Sequence, residues 1–360
     1  MLNASTTFGG IAFVVLISIA SGLQGCSADS ESPRPTPYAY AENEIYPVVI
    51  GDDHLMGYVN DSRQIVIEAQ FEHADEFREG LAAAWKDGKY GYIDISGKWA
   101  IEPRYDYAYG FENGTAVTMQ KEDPDASDSV EYWNLIDASG KVKAKTDSFR
   151  IYDFSEGLAP AWLDYEGNKG FIDEKGKVVL EGYDEVDFFR EGLAAVSKAG
   201  KWGFIDRTGK VVIPLIYEHA FSFSGQRAVV KVADKWGFID HQGKAIIAPR
   251  YDAAHSFSEG LALVKFKGKI GYIGPAGQWA IPPEWDEAED FSEGLAAVSV
   301  NSVQKRGYIN KKGELAIKPE YLETFPAEHG LMKVSRDQVG EYFYIDKQGN
   351  EVEFLPLPKE

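Results

Sequence analysis

The stretch that decides the fold occupies residues 201–214 and reads Lys-Trp-Gly-Phe-Ile-Asp-Arg-Thr-Gly-Lys-Val-Val-Ile-Pro. On either side of its centre it is rich in aromatic and β-branched residues, which favour strands. Asp206 and Gly209 occupy the first and fourth positions typical of a type I turn, and Gly209 also suits the left-handed residue of a bulged hairpin. The stretch therefore predicts a β-hairpin, which weakens at Pro214 because proline has no N–H for the ladder.

Imperfect copies of this hairpin recur along the chain. With Gly203 as a marker, the equivalent positions are Gly57, Gly91, Asn134, Gly170, Gly203, Gly237, Gly271, Gly307 and Phe343. A second glycine follows six residues after most markers, at Gly97, Gly140, Gly176, Gly209, Gly243, Gly277, Gly313 and Gly349. The first copy differs, because Arg63 stands at this position. A spacing of roughly 33 to 43 residues predicts a repeat architecture.

Two further sequence elements keep the same spacing. A Pro-x-Tyr or Pro-x-Trp element occurs at residues 103–105, 249–251, 283–285 and 319–321, with a stretched version at 214–217. A Glu-Gly-Leu-Ala element occurs at 79–82, 156–159, 191–194, 259–262 and 293–296. Each unit therefore reads as three short strands followed by an aromatic and acidic connection.

These elements together resemble the bacterial WG-repeat family, also called KWG repeats. The resemblance rests on Lys-Trp-Gly-Phe-Ile-Asp, Gly-Lys-Val-Val-Ile-Pro and Phe-Ser-Glu-Gly-Leu-Ala, and it covers nearly all of residues 45–353. It implies a repeat fold and no particular reaction, because the family is defined by its repeat. The third copy, with Asn134, and the ninth, with Phe343, lack the marker glycine. A degenerate last copy is typical of a capping unit.

The central strand of each unit carries packing residues on both faces, so it needs cover from neighbouring units. The marker glycine is expected where a neighbour's backbone or ring comes too close for a Cβ atom. We expect an all-β tandem array of about nine three-stranded units. An open β-solenoid or superhelix is favoured over a closed β-propeller, since propellers typically have about four to eight blades of four strands. In the propeller alternative, the aromatic connection supplies the fourth strand.

The overall composition restricts the choice of partners. The chain has 360 residues, a formal charge of −20 and a pI near 4.8. Nucleic acid and anionic membrane surfaces are therefore disfavoured as partners, because like charges repel. The single cysteine, Cys26, allows no intramolecular disulfide.

The N-terminal residues predict where the protein is located. Residues 11–20 form an apolar run of signal-peptide length. The following Leu23-Gln-Gly25-Cys26 resembles the lipobox of bacterial lipoproteins, which implies removal of a signal peptide at 1–25 and acylation of Cys26. Residues 1–25 depart from the usual pattern, because they contain no Lys or Arg. Ser27, rather than Asp, after the cysteine implies an exported lipoprotein sorted to the outer membrane.

Three further ranges complete the expected organisation. Residues 26–44 are polar and proline-rich, which predicts a disordered tether after the acylated cysteine. Residues 45–353 form the repeat domain, and residues 354–360 a short C-terminal tail. The one irregular insertion, residues 121–131, is a candidate contact loop. Its acids Asp123, Asp125 and Asp128 lack the glycine and terminal glutamate of a calcium loop.

No catalytic, cofactor or metal site is predicted. The acids at the hairpin turns are expected to bond their own turns, at Asp94, Asp137, Asp173, Asp206, Asp240 and Asp346. The six histidines have no close pair of the kind that binds zinc, and they are His54, His73, His219, His241, His255 and His329.

Three functions are compatible with these observations. The leading one is a non-enzymatic, membrane-anchored lipoprotein that presents a repeat surface to a protein or glycan partner in the cell envelope. The alternative is a glycan- or peptidoglycan-binding module that uses exposed rings, with Trp85, Trp162, Trp279 and Trp285 as candidates. The third is a hydrolase with paired carboxylates from the connections, with Asp184, Glu185, Asp286 and Glu287 as candidates.

Overall fold

The computed structural model describes residues 44–357, except 52, 124–128, 147, 149, 300–304 and 338–340. Within these residues the chain forms nine four-stranded sheets, which are the blades of a β-propeller. The all-β prediction and the count of nine units are confirmed.

The strands follow the repeat. Blades 1 to 3 use β1 (Ile45–Ile50), β2 (Leu55–Asn60), β3 (Gln64–Phe71), β4 (His73–Ala74), β5 (Leu81–Lys86), β6 (Lys89–Asp94), β7 (Trp99–Tyr105), β8 (Tyr107–Ala108), β9 (Ala116–Lys121), β10 (Glu131–Ile136) and β11 (Val142–Lys145). Blades 4 to 6 use β12 (Arg150–Ile151), β13 (Leu158–Trp162), β14 (Lys169–Asp173), β15 (Val178–Tyr183), β16 (Glu185–Arg190), β17 (Leu193–Lys198), β18 (Lys201–Asp206), β19 (Val211–Tyr217), β20 (His219–Ala220), β21 (Ala228–Val232), β22 (Lys235–Ile239) and β23 (Ala245–Tyr251). Blades 7 to 9 use β24 (Ala253–Ala254), β25 (Ala262–Phe266), β26 (Lys269–Ile273), β27 (Trp279–Trp285), β28 (Glu287–Ala288), β29 (Leu295–Ser299), β30 (Arg306–Asn310), β31 (Leu315–Tyr321), β32 (Glu323–Thr324), β33 (Leu331–Ser335), β34 (Tyr342–Asp346) and β35 (Glu351–Val352). The last strand, β36 (Leu355–Pro356), belongs to blade 1.

Blades 2 to 9 each begin with a strand from the aromatic connection. In seven of these blades that strand has two residues, and in blade 5 it is β16, with six. The remaining three strands of each blade pair antiparallel in chain order. Each unit thus has four strands, rather than the three expected. The connection supplies the fourth strand in blades 2 to 9, and β36 supplies it in blade 1.

The ring is closed, so the favoured open solenoid is not the observed arrangement and the propeller alternative is. β36 pairs parallel with β3, Gln64 opposite Leu355. Side chains from blades 1 and 9 share one buried cluster, which contains Tyr46, Val48 and Leu331. The closing strand β36 comes from residues that the sequence analysis assigned to the C-terminal tail. These residues have no repeat pattern from which a strand could be predicted.

Paired rings form the core between consecutive blades. A ring from the strand that carries the marker glycine packs against a ring from the connection that begins the next blade, with centroids 4.7–5.2 Å apart. In the middle of the chain, Phe204 meets Phe223 and Phe238 meets Phe257. A fully buried ring of this size contributes roughly 2–3 kcal/mol through burial. The stability of the propeller is therefore shared among the interfaces between consecutive blades.

The marker glycine is required by a bulge in its own blade. A Cβ on Gly237 would lie 2.6 Å from the carbonyl oxygen of Ile247 and 2.7 Å from the nitrogen of Pro249. The expected close approach is real, but it comes from the next strand of the same blade and not from a neighbouring unit. In blade 6 the ladder skips Gly237, because Trp236 pairs with Tyr251 and Phe238 pairs with Ile247. In blade 3 the marker position Asn134 pairs directly with Lys145 of β11, so this bulge is missing. In blade 6, the marker glycine and the Pro-x-Tyr element at 249–251 therefore belong to the same bulge.

The second glycine serves the hairpin turn. Gly209 has φ +83°, in the left-handed region, as expected for a bulged hairpin. Its counterpart in the first copy, Arg63, adopts φ 62° despite its side chain. This conformation costs a non-glycine residue roughly 1 kcal/mol.

Candidate functional site

The aspartates of the hairpin turns bond their own turns, as predicted. The Oδ1 atom of Asp206 accepts hydrogen bonds from the backbone N–H of Thr208 at 2.9 Å and of Lys210 at 3.1 Å. The Thr208 hydroxyl also donates to this carboxylate at 2.6 Å. That hydroxyl, followed by the two backbone donors and the charge of Lys210, lowers the pKa of Asp206. The same turn geometry recurs in the other copies.

The Glu-Gly element links five of the blades to the blade that follows. Glu259 has φ 51° and is followed by Gly260 at φ 83°, so both central residues of the turn have positive φ. The Glu259 carboxylate accepts the backbone N–H of Gly294, in the equivalent turn of the next blade, at 2.9 Å. Equivalent bonds join other consecutive blades. This glutamate is therefore structural, a role that the sequence alone did not indicate.

The connection between the first strand and the Glu-Gly turn is where the blades differ. In blade 2, Arg78 extends past Gly110 of blade 3 and donates from Nη1 to Asp153 Oδ2 of blade 4 at 2.9 Å. Where the ring closes, a similar contact skips blade 1: His329 Nε2 of blade 9 lies 2.9 Å from Glu76 Oε1 of blade 2. Blades diverge away from the propeller axis, so contacts that skip one blade occur close to the axis. The variable residues of the connections are thus gathered in the middle of the ring.

A cleft lies at this position between blades 2, 3 and 4. It is a cavity of about 460 Å³. We call it the blade 2–4 cleft, and it is lined by His73, Asp75, Glu76, Arg78, Tyr90, Tyr107, Ala108, Tyr109, Gly110 and Asp153. A second cavity of about 580 Å³ shares Arg78 and Asp153 with it. The Arg78–Asp153 bridge therefore stands between two cavities.

Aromatic rings form one wall of the blade 2–4 cleft. The ring centroids of Tyr90 and Tyr107 are 6.0 Å apart, and those of Tyr107 and Tyr109 are 4.9 Å apart. Trp85 packs edge-on against Tyr90 at 4.7 Å, and Trp133 lies 6.3 Å from Tyr107. Tyr107 is 38% exposed, so this wall is open to a ligand.

The carboxylates of the cleft are electrostatically unlike those of the turns. Burial raises the pKa of Asp75, although His73 and Arg78 oppose the shift, and the charge of Asp153 adds to it. Burial likewise raises the pKa of Asp153, even with Arg78 beside it. Burial also raises the pKa of Tyr90 to about 12, so this phenol stays protonated at neutral pH. The cleft thus holds acidic groups whose charge is incompletely compensated.

The four candidate tryptophans do not form a common platform. Trp285 is buried, with 6% of its surface exposed, whereas Trp162 and Trp279 are 39% and 38% exposed. Trp162 carries Lys169 Nζ 4.9 Å from its ring centre, and Trp279 packs against Tyr251 and Phe266. Trp85 is half-buried and belongs to the aromatic wall of the blade 2–4 cleft through Tyr90.

The four candidate carboxylates are divided between two blades. Asp286 and Glu287 line one cavity of about 310 Å³ in blade 8. Each has a cationic partner there, Lys269 Nζ at 2.5 Å from Asp286 and Arg306 Nη2 at 2.9 Å from Glu287.

In blade 5, Glu185 pairs with Lys169 at 2.5 Å, and Asp184 accepts the N–H of Gly200 at 3.4 Å.

The histidines lie apart from one another. His241, His255 and His329 each pair with an acid of another blade, whereas His219 stacks on Trp202 at 4.8 Å. Across the described ranges, no group of three or more His, Cys, Asp or Glu residues is placed to hold a metal ion. In the insertion, the N–H of Asp123 donates to Ser129 Oγ at 2.8 Å, and Asp125 and Asp128 lie outside the described residues.

The structure does not describe the segment from which the localisation was predicted. Leu23, Gly25, Cys26 and residues 27–43 of the tether lie outside the described residues. In the part of the chain that the structure describes, there is no helix long and apolar enough to cross a membrane.

The cleft residues Asp75, Arg78, Tyr107, Tyr109 and Asp153 were not among the candidates from the sequence. Their signal was present, since they occupy the connection positions at which the copies disagree. The repeat period alone did not indicate that a side chain of blade 2, Arg78, can reach Asp153 of blade 4.

Comparison with known proteins identifies the repeat. A family model described as "WG containing repeat" matches residues 56–90, 90–122, 170–202, 202–236, 236–269, 270–303 and 307–337, which is more than half of the chain. No curated protein matches the chain.

Solved structures share the fold at low sequence identity. A crystal structure of a eukaryotic initiation factor is 11% identical, with a TM-score of 0.57 over 86% of this chain and 94% of that one. Apo AztD from Citrobacter koseri is 14% identical, with a TM-score of 0.41 over 79% of this chain and 93% of that one. Dihydro-heme d1 dehydrogenase NirN in complex with DHE is 12% identical, with a TM-score of 0.47 over 91% and 81%. The first of these similarities supports the propeller fold alone.

Proposed function

The chain belongs to the WG-repeat family, and from this premise we propose that it is a non-enzymatic binding or scaffold protein of the cell envelope. Its closed ring presents the variable connections to a partner, and a lipid on Cys26 anchors it to the outer membrane. The partner is a protein.

One observation carries this proposal. The bridge from Arg78 to Asp153, 2.9 Å long, brings side chains of blades 2 and 4 together beside an aromatic wall and a cavity of about 460 Å³. Ligand sites in proteins are typically concave, with apolar walls and a few polar groups that fix orientation. The repeated hairpins, in contrast, use their polar groups internally.

Capture of partners from envelope extracts tests the binding role. We would compare the full-length chain with Tyr107→Ala, which removes the exposed ring of the aromatic wall. The matched control is Tyr132→Ala, because Tyr132 is a 49% exposed tyrosine of the same blade. We expect reproducible partners that Tyr107→Ala loses and Tyr132→Ala retains. Recovery of no reproducible partner, or equal recovery by both variants, would contradict the proposal.

Fatty-acid labelling tests the anchor separately. Cys26 is the only cysteine of the chain, so Cys26→Ser removes every thiol. We expect an alkyne fatty acid to label the wild-type protein in bacterial cells and not Cys26→Ser, and we expect intact mass to show cleavage before residue 26. Unlabelled wild-type protein of full length would contradict the anchor and leave the binding role standing.

The second candidate is glycan binding, which one observation favours. The chain of rings from Trp85 through Tyr90 and Tyr107 to Tyr109 is a continuous aromatic surface, and sugar rings stack on such surfaces. Titration with a neutral chitin tetrasaccharide tests it, with quenching of aromatic fluorescence as the expected result. Unchanged fluorescence at millimolar sugar would contradict it.

A further inference from the structure

The blade 2–4 cleft combines an aromatic wall with carboxylates, and this combination has a definite ligand preference. We propose that the cleft binds the primary ammonium group of a lysine side chain from a peptide partner, with the ammonium between the tyrosine rings and the carboxylates of Asp75 and Asp153. This inference rests on the proposed binding function and names the chemistry of the partner.

The aromatic wall supplies the first argument. An ammonium group within about 6 Å of an aromatic centroid is attracted by the ring. The protein uses this interaction elsewhere, since Lys169 Nζ lies 4.9 Å from the ring centre of Trp162 and Lys333 Nζ lies 4.5 Å from that of Tyr342. Within the described part of the chain, no lysine or arginine covers Tyr90, Tyr107 or Tyr109 in this way. Tyr107, which is 38% exposed, therefore offers a ring to a cation from outside.

The carboxylates supply the second argument. Asp75 Oδ1 lies 3.6 Å from His73 Nδ1, which is too long for a hydrogen bond. Asp153 receives one guanidinium bond from Arg78 and one backbone bond from the N–H of Phe154 at 2.9 Å. Two carboxylates thus face one exposed guanidinium, and an entering ammonium would compensate the excess charge.

Burial is the main cause of the raised pKa values of Asp75 and Asp153, and the charge of an entering ammonium would oppose this shift as the charge of Arg78 does. Groups that already have a full complement of partners, such as the turn aspartate Asp206, have lowered pKa values instead. The pKa difference supports the geometric argument.

Arg78 has a special position in this account. Its guanidinium occupies Asp153 and separates the cavity of about 460 Å³ from that of about 580 Å³. Its side chain is 53% exposed, so it can move aside at little cost. A lysine ammonium of the partner would compete with Arg78 for Asp153, while its methylene stem would pack on the tyrosine rings.

The test uses the full-length chain and a matched pair of peptides. Trilysine is titrated by calorimetry at pH 7.5 and 150 mM salt, against the same peptide with every amine acetylated. We expect acetylation to weaken binding by about tenfold or more, since it removes the charge. We expect Tyr107→Ala to weaken trilysine binding about fivefold, in line with a cation–π contribution.

Variants separate a site from general attraction to an acidic protein. The double variant Asp75→Asn and Asp153→Asn is expected to lose about tenfold in affinity, as for removal of desolvated ion pairs. The control is Asp290→Asn, a carboxylate at an equivalent connection position of blade 8 that is paired with His255 at 3.1 Å. It is expected to change affinity by less than about twofold. Arg78→Ala is expected to strengthen binding.

Several results would overturn the proposal. Equal binding of the acetylated peptide would exclude an ammonium site, and equal loss in Asp290→Asn would indicate attraction to the overall charge. Binding of a neutral chitin tetrasaccharide with no binding of trilysine would assign the cleft to sugars. No binding of either probe would reject the lysine inference, while envelope capture by the same chain would keep the broader binding function.

Discussion

The hairpin turn of blade 5 and the connection of blade 4 each contain an aspartate, and the two aspartates behave in opposite ways. Asp206 in the turn accepts bonds from Thr208 and Lys210 of the same turn, and its pKa is lowered. Asp153 in the connection is bridged to Arg78 two blades away, and burial raises its pKa. The same residue type is structural in the repeated turn, and we propose that it binds a ligand in the connection.

This difference gives the molecule two kinds of surface. The repeated hairpins, marker glycines and Glu-Gly turns satisfy their polar groups within a blade or against the next one. The connections bring unlike side chains to the middle of the ring, where they meet across blades. Substitutions should therefore affect stability in the first set and binding in the second.

The largest effect on stability is expected at a marker glycine. Gly237→Ala would place a Cβ 2.6 Å from the backbone oxygen of Ile247, so the bulge must shift. We expect the free energy of unfolding to fall by about 3 kcal/mol, at the upper end for an added methyl in a packed site. Denaturant titration followed by tryptophan fluorescence measures it.

Gly268→Ala is the control for that substitution. Gly268 has φ +83°, and a Cβ there would meet nothing within 4 Å. Only the left-handed backbone is strained, at a cost of roughly 1 kcal/mol. Equal losses in the two variants would show that the bulge is not what requires the marker glycine.

A smaller effect is expected at the link between blades. Glu259→Ala removes the carboxylate that accepts the N–H of Gly294 at 2.9 Å and pairs with Lys311 at 3.1 Å. We expect a loss of about 1 kcal/mol, because the lost hydrogen bond is partly replaced by water. Hydrogen exchange at Gly294 should accelerate in the variant. Unchanged exchange would mean that this bond does not hold the blades together.

The two kinds of aspartate should also differ in their pH dependence. The pKa of Asp206 is lowered on folding, so its contribution is present above about pH 4, the ordinary Asp pKa, and is lost as the pH falls through the folded pKa. Asp206→Ala should therefore destabilise the protein at pH 7 and lose that effect in acid.

The pKa of Asp75 is raised on folding, so its ionised form at pH 7 opposes folding and protonation in acid relieves the cost. Asp75→Asn should stabilise at pH 7 and have little effect near pH 4. Thermal unfolding of both variants between pH 3.5 and 7.5 measures these trends. Parallel pH profiles would contradict the distinction.

The smallest effect is expected at the irregular first turn. Arg63→Gly would relieve the left-handed conformation at φ 62° and is expected to raise stability by about 0.5 kcal/mol, since the greater freedom of unfolded glycine offsets part of the gain. The shift in the denaturant midpoint checks it. A loss of stability would mean that the contacts of the Arg63 side chain outweigh the strain.

The repeat could be predicted from the sequence because its signals are local. The hairpin around Gly209, the capping role of Asp206 and the period of the marker glycines all depend on residues a few positions apart. Closure of the ring could not be predicted, because it depends on the pairing of Leu355 with Gln64, which are far apart in the chain. A two-residue strand without a repeat pattern carries no local signal for that pairing.

The candidate site was only indicated in outline. The expectation that function lies where the copies disagree led to the connections, and the blade 2–4 cleft lies there. The individual residues could not be chosen, since Arg78 and Asp153 are 75 positions apart and belong to blades that are not neighbours. Trp285 shows the reverse case, an aromatic candidate that is buried because the blade core needs its volume.

The most direct test of this account replaces one connection with another. Residues 107–109, Tyr-Ala-Tyr, which carry the exposed aromatic wall, would be exchanged for Ala-Ala-His, the equivalent residues 253–255 of blade 7. The exchange keeps the alanine that packs in the core. We predict an unfolding midpoint close to that of the wild type together with loss of partner capture from envelope extracts. Unchanged capture by the folded variant would contradict the claim that the variable connections carry the function.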